Sequence, residues 1–202
     1  MTDDAEMMSE LRARARKQIR QRMRSLRAAY PAPALGIRSE RIVARLSELE
    51  AYRAARSVAL FWPLSHEVDV RALDQAARAE GKSVFYPVME PTATGHRTAF
   101  ARVHAVTELS IRGGRFAEPP PEAPRAQSGE LDFIVVPALA ASANGHRLGY
   151  GVGFYDVTLP EFCPPAVSVV VVYDFQLLAE LPSLDHDVSC QWVVTDARTL
   201  QG

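Results

Sequence analysis

Apolar residues recur near the start of the chain at the spacing of a helix face: Leu11, Ala15, Ile19, Met23 and Leu26 share one stripe. Arg12, Arg16, Arg20, Arg24 and Arg27 form a second stripe, with Lys17 beside it. The spacing predicts a helix from about Ser9 to Tyr30, stopped by Pro31 and Pro33, after eight residues expected to be disordered. A second helix is predicted from Ser39, as its N-cap, to Ala55, with Ile42, Val43, Leu46, Leu49 and Tyr52 on its apolar face. The period then changes. SVALFWP (57–63) is a short, continuous apolar run ending in proline and reads as a buried strand. VRALDQAARAEGK returns to helical spacing, with Asp69 as N-cap and Gly81 as terminator. SVFYPV (83–88), LDFIVVP (131–137) and VSVVVVY (167–173) read as further strands, TAFARV (98–103) as an edge strand, and QWVVT (191–195) as the last.

Strand, helix, strand in that order is a βαβ unit. Repeated over near-continuous apolar strands, it predicts an α/β three-layer sandwich with a mostly parallel sheet and helices on both faces. The 202 residues fit one domain, with 118–130 as a proline-rich loop lacking a core of its own. Ligands of such sheets sit outside the carboxyl ends of the strands, so the segments that follow strands are where chemistry is expected.

Composition narrows the classes further. A formal net charge of −1 gives no global field for nucleic acid or a membrane surface. Cys163 and Cys190 have no C-x-x-C or metal-ligand spacing and read as buried free thiols of a reducing compartment. No apolar run approaches the ~18 residues of a membrane span. The acidic start MTDDAEMMSE has no apolar stretch of a signal peptide, so the cytoplasm is the expected location.

The segment after LDFIVVP carries the strongest chemical pattern. Arg147, Gly149, Gly151, Gly153 and Asp156 lie within ten residues, with Tyr150, Val152, Phe154 and Tyr155 between them. Alternating glycines allow positive φ and close approach of a ligand to the backbone. Successive N–H groups and a helix beginning near Phe154 would favour an anion, Arg147 offers a forked cation, and Asp156 offers a hard oxygen for Mg²⁺. The pattern is neither G-x-G-x-x-G nor a Walker A loop, and by itself it also fits a tight structural turn. There is no G-x-S-x-G elbow and no H-E-x-x-H pair.

The stretch R-L-G-Y-G-V-G-F-Y-D after a V-P strand resembles the signature of the 5-formyltetrahydrofolate cyclo-ligase family. The resemblance extends along nearly the whole chain. It includes Arg16-Lys-Gln-Ile-Arg20, Glu67-Val-Asp69, GRFAEP (114–119), Asp174-Phe-Gln176, Leu181-Pro182, His186-Asp187-Val188 and Val193-Val-Thr195. Three departures stand out. An acid common in the family is absent from Pro137-Ala-Leu-Ala-Ala-Ser142, Leu184 stands where glutamate is frequent, and Val152 where glycine is common.

The resemblance implies an ATP- and Mg²⁺-dependent ring closure. The formyl oxygen of 5-formyltetrahydrofolate takes the γ-phosphoryl group, N10 attacks the activated carbon, and phosphate leaves with 5,10-methenyltetrahydrofolate as product. It also implies roles. Arg16, Lys17, Arg20, Arg147, Gly149, Gly151, Gly153 and Tyr155 would hold ATP, with Arg147 and Asp156 acting in catalysis. Trp62, Glu67, Tyr150 and Phe154 would hold the folate, and Asp156 and Asp187 the metal; His186 reads as structural. The enzyme is expected to be a monomer. Two rivals remain at this point: a folate- or nucleotide-binding relative without turnover, and a sugar-phosphate sensor on a similar scaffold.

Overall fold

The computed structural model describes residues 2–92, 95–111, 116–184 and 187–202. Among the described residues there are five α-helices: α1 Thr2–Ala29, α2 Ala32–Glu48, α3 Glu50–Ala54, α4 Arg71–Ala79 and α5 Phe154–Phe162. The strands are β1 Ser57–Ala59, β2 Ser83–Thr92, β3 Gly95–Arg102, β4 Ser110–Ile111, β5 Ala117–Glu118, β6 Phe133–Pro137, β7 Ala140–Ser142, β8 Arg147–Leu148, β9 Val167–Val171, β10 Leu177–Leu178, β11 Trp192–Val194 and β12 Thr199–Gln201.

Seven strands form the main sheet in the order β12-β11-β9-β6-β1-β2-β3. The five central strands are parallel, and the edges β3 and β12 are antiparallel. The period of two sorts its residues between two cores. Val58, Phe133, Val135 and Val171 face Ile42, Leu46 and Tyr52 of α2 and α3 and Leu73 of α4. Ala59, Ile134, Val136 and Val170 face Leu159 and Phe162 of α5. These central strands are apolar at every position because both faces are covered, and the sandwich is the one expected.

From β1 the chain builds outward to β2 and β3; from β6 it builds the other way, to β9, β11 and β12. The connections therefore diverge between β1 and β6. That switch point is where an open α/β sheet leaves a crevice beyond its strand ends. A second, three-stranded sheet of β10, β7 and β8 lies close by. On it packs the C-terminal half of α1, with Ile19, Met23 and Leu26 against Leu139, Ala140 and Leu148.

Several boundaries differ from the expected ones. The first helix begins at Thr2 and so includes most of the segment expected to be disordered. Pro31 caps α2 and Pro33 lies in its first turn, where a missing N–H costs nothing. Ser39 is thus mid-helix; its buried hydroxyl meets the Tyr173 hydroxyl and accepts the Asp69 N–H. The second expected helix breaks at Leu49, whose extended backbone separates α2 from α3. QWVVT is not the last strand, since β12 adds outside it. Gly81, at φ 77°, does end α4. Among the described residues no helix is long and apolar enough to cross a membrane.

Candidate functional site

A cleft of about 720 Å³ opens where the chain leaves β1 and β6, with α1 as its far wall. Phe61, Trp62 and Leu64 enter from the segment after β1, and Pro87 and Met89 from β2. The loop from Gly149 to Asp156 closes one end. Arg16, Arg20 and Arg24 reach it from successive turns of α1. Residues from widely separated stretches of sequence thus meet at the switch point.

The glycine loop has the backbone its composition suggests. Gly151 and Gly153 have φ of 98° and 75°, which side chains with a Cβ rarely adopt. Gly153 caps α5, leaving the first-turn N–H groups without intrahelical partners. Val152 is 66% exposed, and its φ is not positive: among the described residues His66 alone departs from this rule outside glycine. Arg20 Nε donates to the Gly149 carbonyl at 2.9 Å, fixing the loop to α1. Burial, and next the like charges of Arg16 and Arg24, lower the Arg20 pKa while Asp187 raises it, surroundings that an anion would suit.

The two expected metal ligands lie in different surroundings. Asp156 Oδ1 accepts Arg147 Nη2 at 2.8 Å and the Val188 N–H at 3.3 Å. Its Oδ2 has no protein partner among the described residues, and its side chain is 25% exposed. That oxygen fits a Mg²⁺ held by one or two carboxylates together with phosphate and water. Asp187 is more engaged. Arg16 meets both of its oxygens, and Oδ2 also accepts the Leu184 N–H at 2.8 Å. No cluster of three or more His, Cys, Asp or Glu that could hold a metal exists among the described residues, so a metal here would have to complete its coordination with phosphate and water oxygens.

Glu67 lines the other part of the cleft and is 7% exposed. It follows His66, whose φ is 65°, in a turn where Glu67 N–H donates to the Leu64 carbonyl and Leu64 N–H donates to Glu67 Oε2. Tyr173 donates its hydroxyl to the Glu67 carbonyl at 2.9 Å, and Tyr150 donates to Oε1 at 2.7 Å. Burial first, and then the Glu67 charge, push the Tyr150 hydroxyl up to about 12, so it remains a donor at physiological pH. Trp62 stands nearby, tilted against Tyr86 at 6.5 Å and beneath Arg71. Phe154 and Tyr155 pack edge to face at 4.9 Å.

Of the residues singled out from sequence, Arg16, Arg20, Trp62, Glu67, Arg147, Gly149, Tyr150, Gly151, Gly153, Phe154, Tyr155, Asp156 and Asp187 all line this cleft. Lys17 does not: it is exposed and absent from the lining, because one residue along a helix turns a side chain by about 100°. His186 lies outside the described residues. Arg147 is only 4% exposed and binds Asp156 and the Val188 carbonyl. In this geometry it positions Asp156. The altered stretch Ala138–Ser142 is fully buried and does not line the cleft, so its missing acid removes nothing from the wall. Sequence reasoning did not assign Phe61, Leu64, Met89, Phe116, Arg24 or Arg27 to the site. For the two arginines the signal was present: Arg24 stands four residues after Arg20 and Arg27 three after Arg24, on the same helical stripe.

Comparison with known proteins agrees with this architecture. The profile of the 5-formyltetrahydrofolate cyclo-ligase family matches residues 12–196. A 5-formyltetrahydrofolate cyclo-ligase of Mycolicibacterium smegmatis is 33% identical over 187 residues, covering 92% of this chain and 95% of that one. One of Haemophilus influenzae is 30% identical over 175 residues, covering 86% and 93%. Among solved structures, a 5,10-methenyltetrahydrofolate synthetase of Aquifex aeolicus superposes with a TM-score of 0.78 at 27% identity, over 92% of each chain. With nearly its whole length matched in both sequence and fold, this chain belongs to the 5-formyltetrahydrofolate cyclo-ligase family and is a ligase.

Proposed function

We propose that the protein uses ATP and Mg²⁺ to cyclise 5-formyltetrahydrofolate to 5,10-methenyltetrahydrofolate, releasing ADP and phosphate. The observation that carries this reading is a single cleft with two chemically different ends. One end gathers Arg16, Arg20 and a glycine loop against Asp156; the other sets Glu67 among Phe61, Trp62 and Leu64. A polyphosphate and a flat, apolar heterocycle with an N–H edge have those two demands.

The reaction needs no protein nucleophile, because both nucleophiles belong to the folate. The formyl oxygen bonds to the γ-phosphorus as the bond to ADP breaks. N10 then bonds to the formyl carbon and loses its proton, and the carbon–oxygen bond breaks to release phosphate. Charge neutralisation and alignment are what the protein must provide. Arg16 and Arg20 bind the phosphates, and the N–H groups of Gly149–Gly153 and of the first turn of α5 point negative charge into place. Arg147 holds Asp156, and Asp156 would hold Mg²⁺, which when bound would neutralise charge on the phosphates. Asp187 would be the second ligand, and Arg16, which meets both of its oxygens, would have to release it. Glu67 accepts the pterin N–H groups, while Trp62, Tyr150 and Phe154 wall the slot. Tyr155 flanks the phosphates. An apolar wall also excludes water from the activated carbon. We read the enzyme as a cytoplasmic monomer.

The direct test mixes protein, ATP, Mg²⁺ and 5-formyltetrahydrofolate and follows methenyl-folate absorbance. The product should rise with one ADP released per ring closed. Omitting ATP or adding excess chelator should abolish it. Ring closure undiminished in chelator would remove the metal from the mechanism, and folate binding without any ring closure would leave a binding protein.

A further inference from the structure

Arg27 is among the most deeply buried charges of the fold, with a side chain 6% exposed. Its Nε is buried without a hydrogen-bond partner among the described residues, and Nη1 is 3.9 Å from Glu67 Oε1, a long ion pair. Burying a cation so incompletely paired is costly, and a leucine there would extend the adjacent Met23 and Leu26 cluster. What Arg27 does make is one short contact: Nη2 donates to the Tyr150 hydroxyl oxygen at 2.5 Å. That hydroxyl has one proton. Since Arg27 occupies its oxygen as donor, the proton is directed to Glu67 Oε1.

We propose that Arg27 and Tyr150 are positioning residues for folate recognition: Arg27 aims the Tyr150 hydroxyl, and Tyr150 fixes the Glu67 carboxylate for the N–H edge of the pterin. This rests on reading Glu67 as the pterin acceptor. One protein donor sits on each carboxylate oxygen, Tyr150 on Oε1 and Leu64 N–H on Oε2. The terminal torsion of a glutamate is otherwise soft, so without Tyr150 the carboxylate plane is held from one side only. With both donors the plane is set, and each oxygen keeps a lone pair for one of two parallel N–H donors. The same side chain hangs from the glycine loop, between Gly149 and Gly151, and Arg24 lies over its ring at 5.2 Å.

The experiment is calorimetric titration of 5-formyltetrahydrofolate and, separately, of Mg-ATP into four proteins: wild type, Tyr150→Phe, Glu67→Gln and the double variant. Tyr150→Phe keeps the ring and removes only the hydroxyl. It should weaken folate binding about tenfold and leave ATP binding within about twofold. The double variant should bind folate no more weakly than Glu67→Gln alone, because the carboxylate whose plane Tyr150 sets is no longer there to accept the pair of pterin N–H groups. Additive losses would overturn the proposal, and so would wild-type folate affinity in Tyr150→Phe. A merely structural role would lower thermal stability and both affinities together, leaving no such split. Arg27→Met should follow Tyr150→Phe in direction; where it fails to fold, the Tyr150→Phe cycle decides alone. If Glu67→Gln itself binds folate normally, the reading of Glu67 fails and the proposal with it. If Glu67→Gln loses binding while Tyr150→Phe does not, only the positioning role is lost.

Discussion

Glu67, at one end of the cleft, is held through its own N–H, its carbonyl and both carboxylate oxygens, by Leu64, Tyr173 and Tyr150. At the other end, Gly149 and Gly153 have open space where a Cβ would stand, Val152 is 66% exposed, and Arg24 is exposed above Tyr150. The first end is fixed in place by neutral donors. The second is a field of cations and N–H groups around a gap. On the proposed function, the difference matches what each end would recognise. Two adjacent N–H groups on a rigid ring demand a carboxylate with a defined plane, where a small rotation loses a hydrogen bond. A polyphosphate presents several charges and many oxygens, so summed attraction tolerates looser placement.

If the ends differ in this way, they should separate under mutation. The largest effect is expected from Asp156→Asn, which keeps the shape and the acceptor for Arg147 but removes the charge. Turnover should fall by about 100- to 1000-fold, since a metal ligand stabilises charge that grows during transfer. Folate affinity should change by less than about twofold, because Glu67 is untouched. A parallel loss of folate binding, measured by titration, would show that the two ends are one. Next comes Gly151→Val. A β-branched residue at φ 98° is strained, and its Cβ would meet the Arg20 guanidinium at 3.5 Å. ATP affinity should drop about 100-fold with the protein still folded. Normal ATP binding with only a lowered melting temperature would make the loop a structural turn, and the phosphate end would lie elsewhere.

The main sheet was legible because both its faces are buried, which makes strands such as FIVVP apolar throughout. The helix break at Leu49 was not, because neither glycine nor proline marks it and its apolar spacing continues to Tyr52. Strand β12 was hidden for a related reason: an edge strand with an exposed end carries no alternation to read. In the site, the glycine loop and Asp156 were legible because their chemistry is local in sequence. Arg27 was not, although it lies on the arginine stripe. An arginine on a polar helix face reads as solvated, and only packing against Tyr150, more than a hundred residues away, buries it. Lys17 shows the converse: its neighbours in sequence point to the site, while the helix turns it outside the cleft lining.

Val152 gives the smallest and most discriminating prediction. It stands among three glycines in a loop read as a phosphate cradle, yet its side chain is exposed and its backbone stays out of the left-handed region. Its side chain is mostly exposed although the residue lines the cleft, so a cradle built from the loop's backbone N–H groups would not need it. Val152→Gly should leave ATP affinity within about twofold. It should still cost stability, because glycine widens the unfolded ensemble without gaining any contact, by about 0.5–1 kcal/mol. For a chain of this length that is a drop of about 1–4 °C in melting temperature. Calorimetric melting and ATP titration on the same preparation read both. A gain in ATP affinity would mean the valine restrains the loop away from its binding shape. A loss beyond about threefold would mean that the side chain itself touches the nucleotide. Either result would make the phosphate end as geometrically exacting as the Glu67 end.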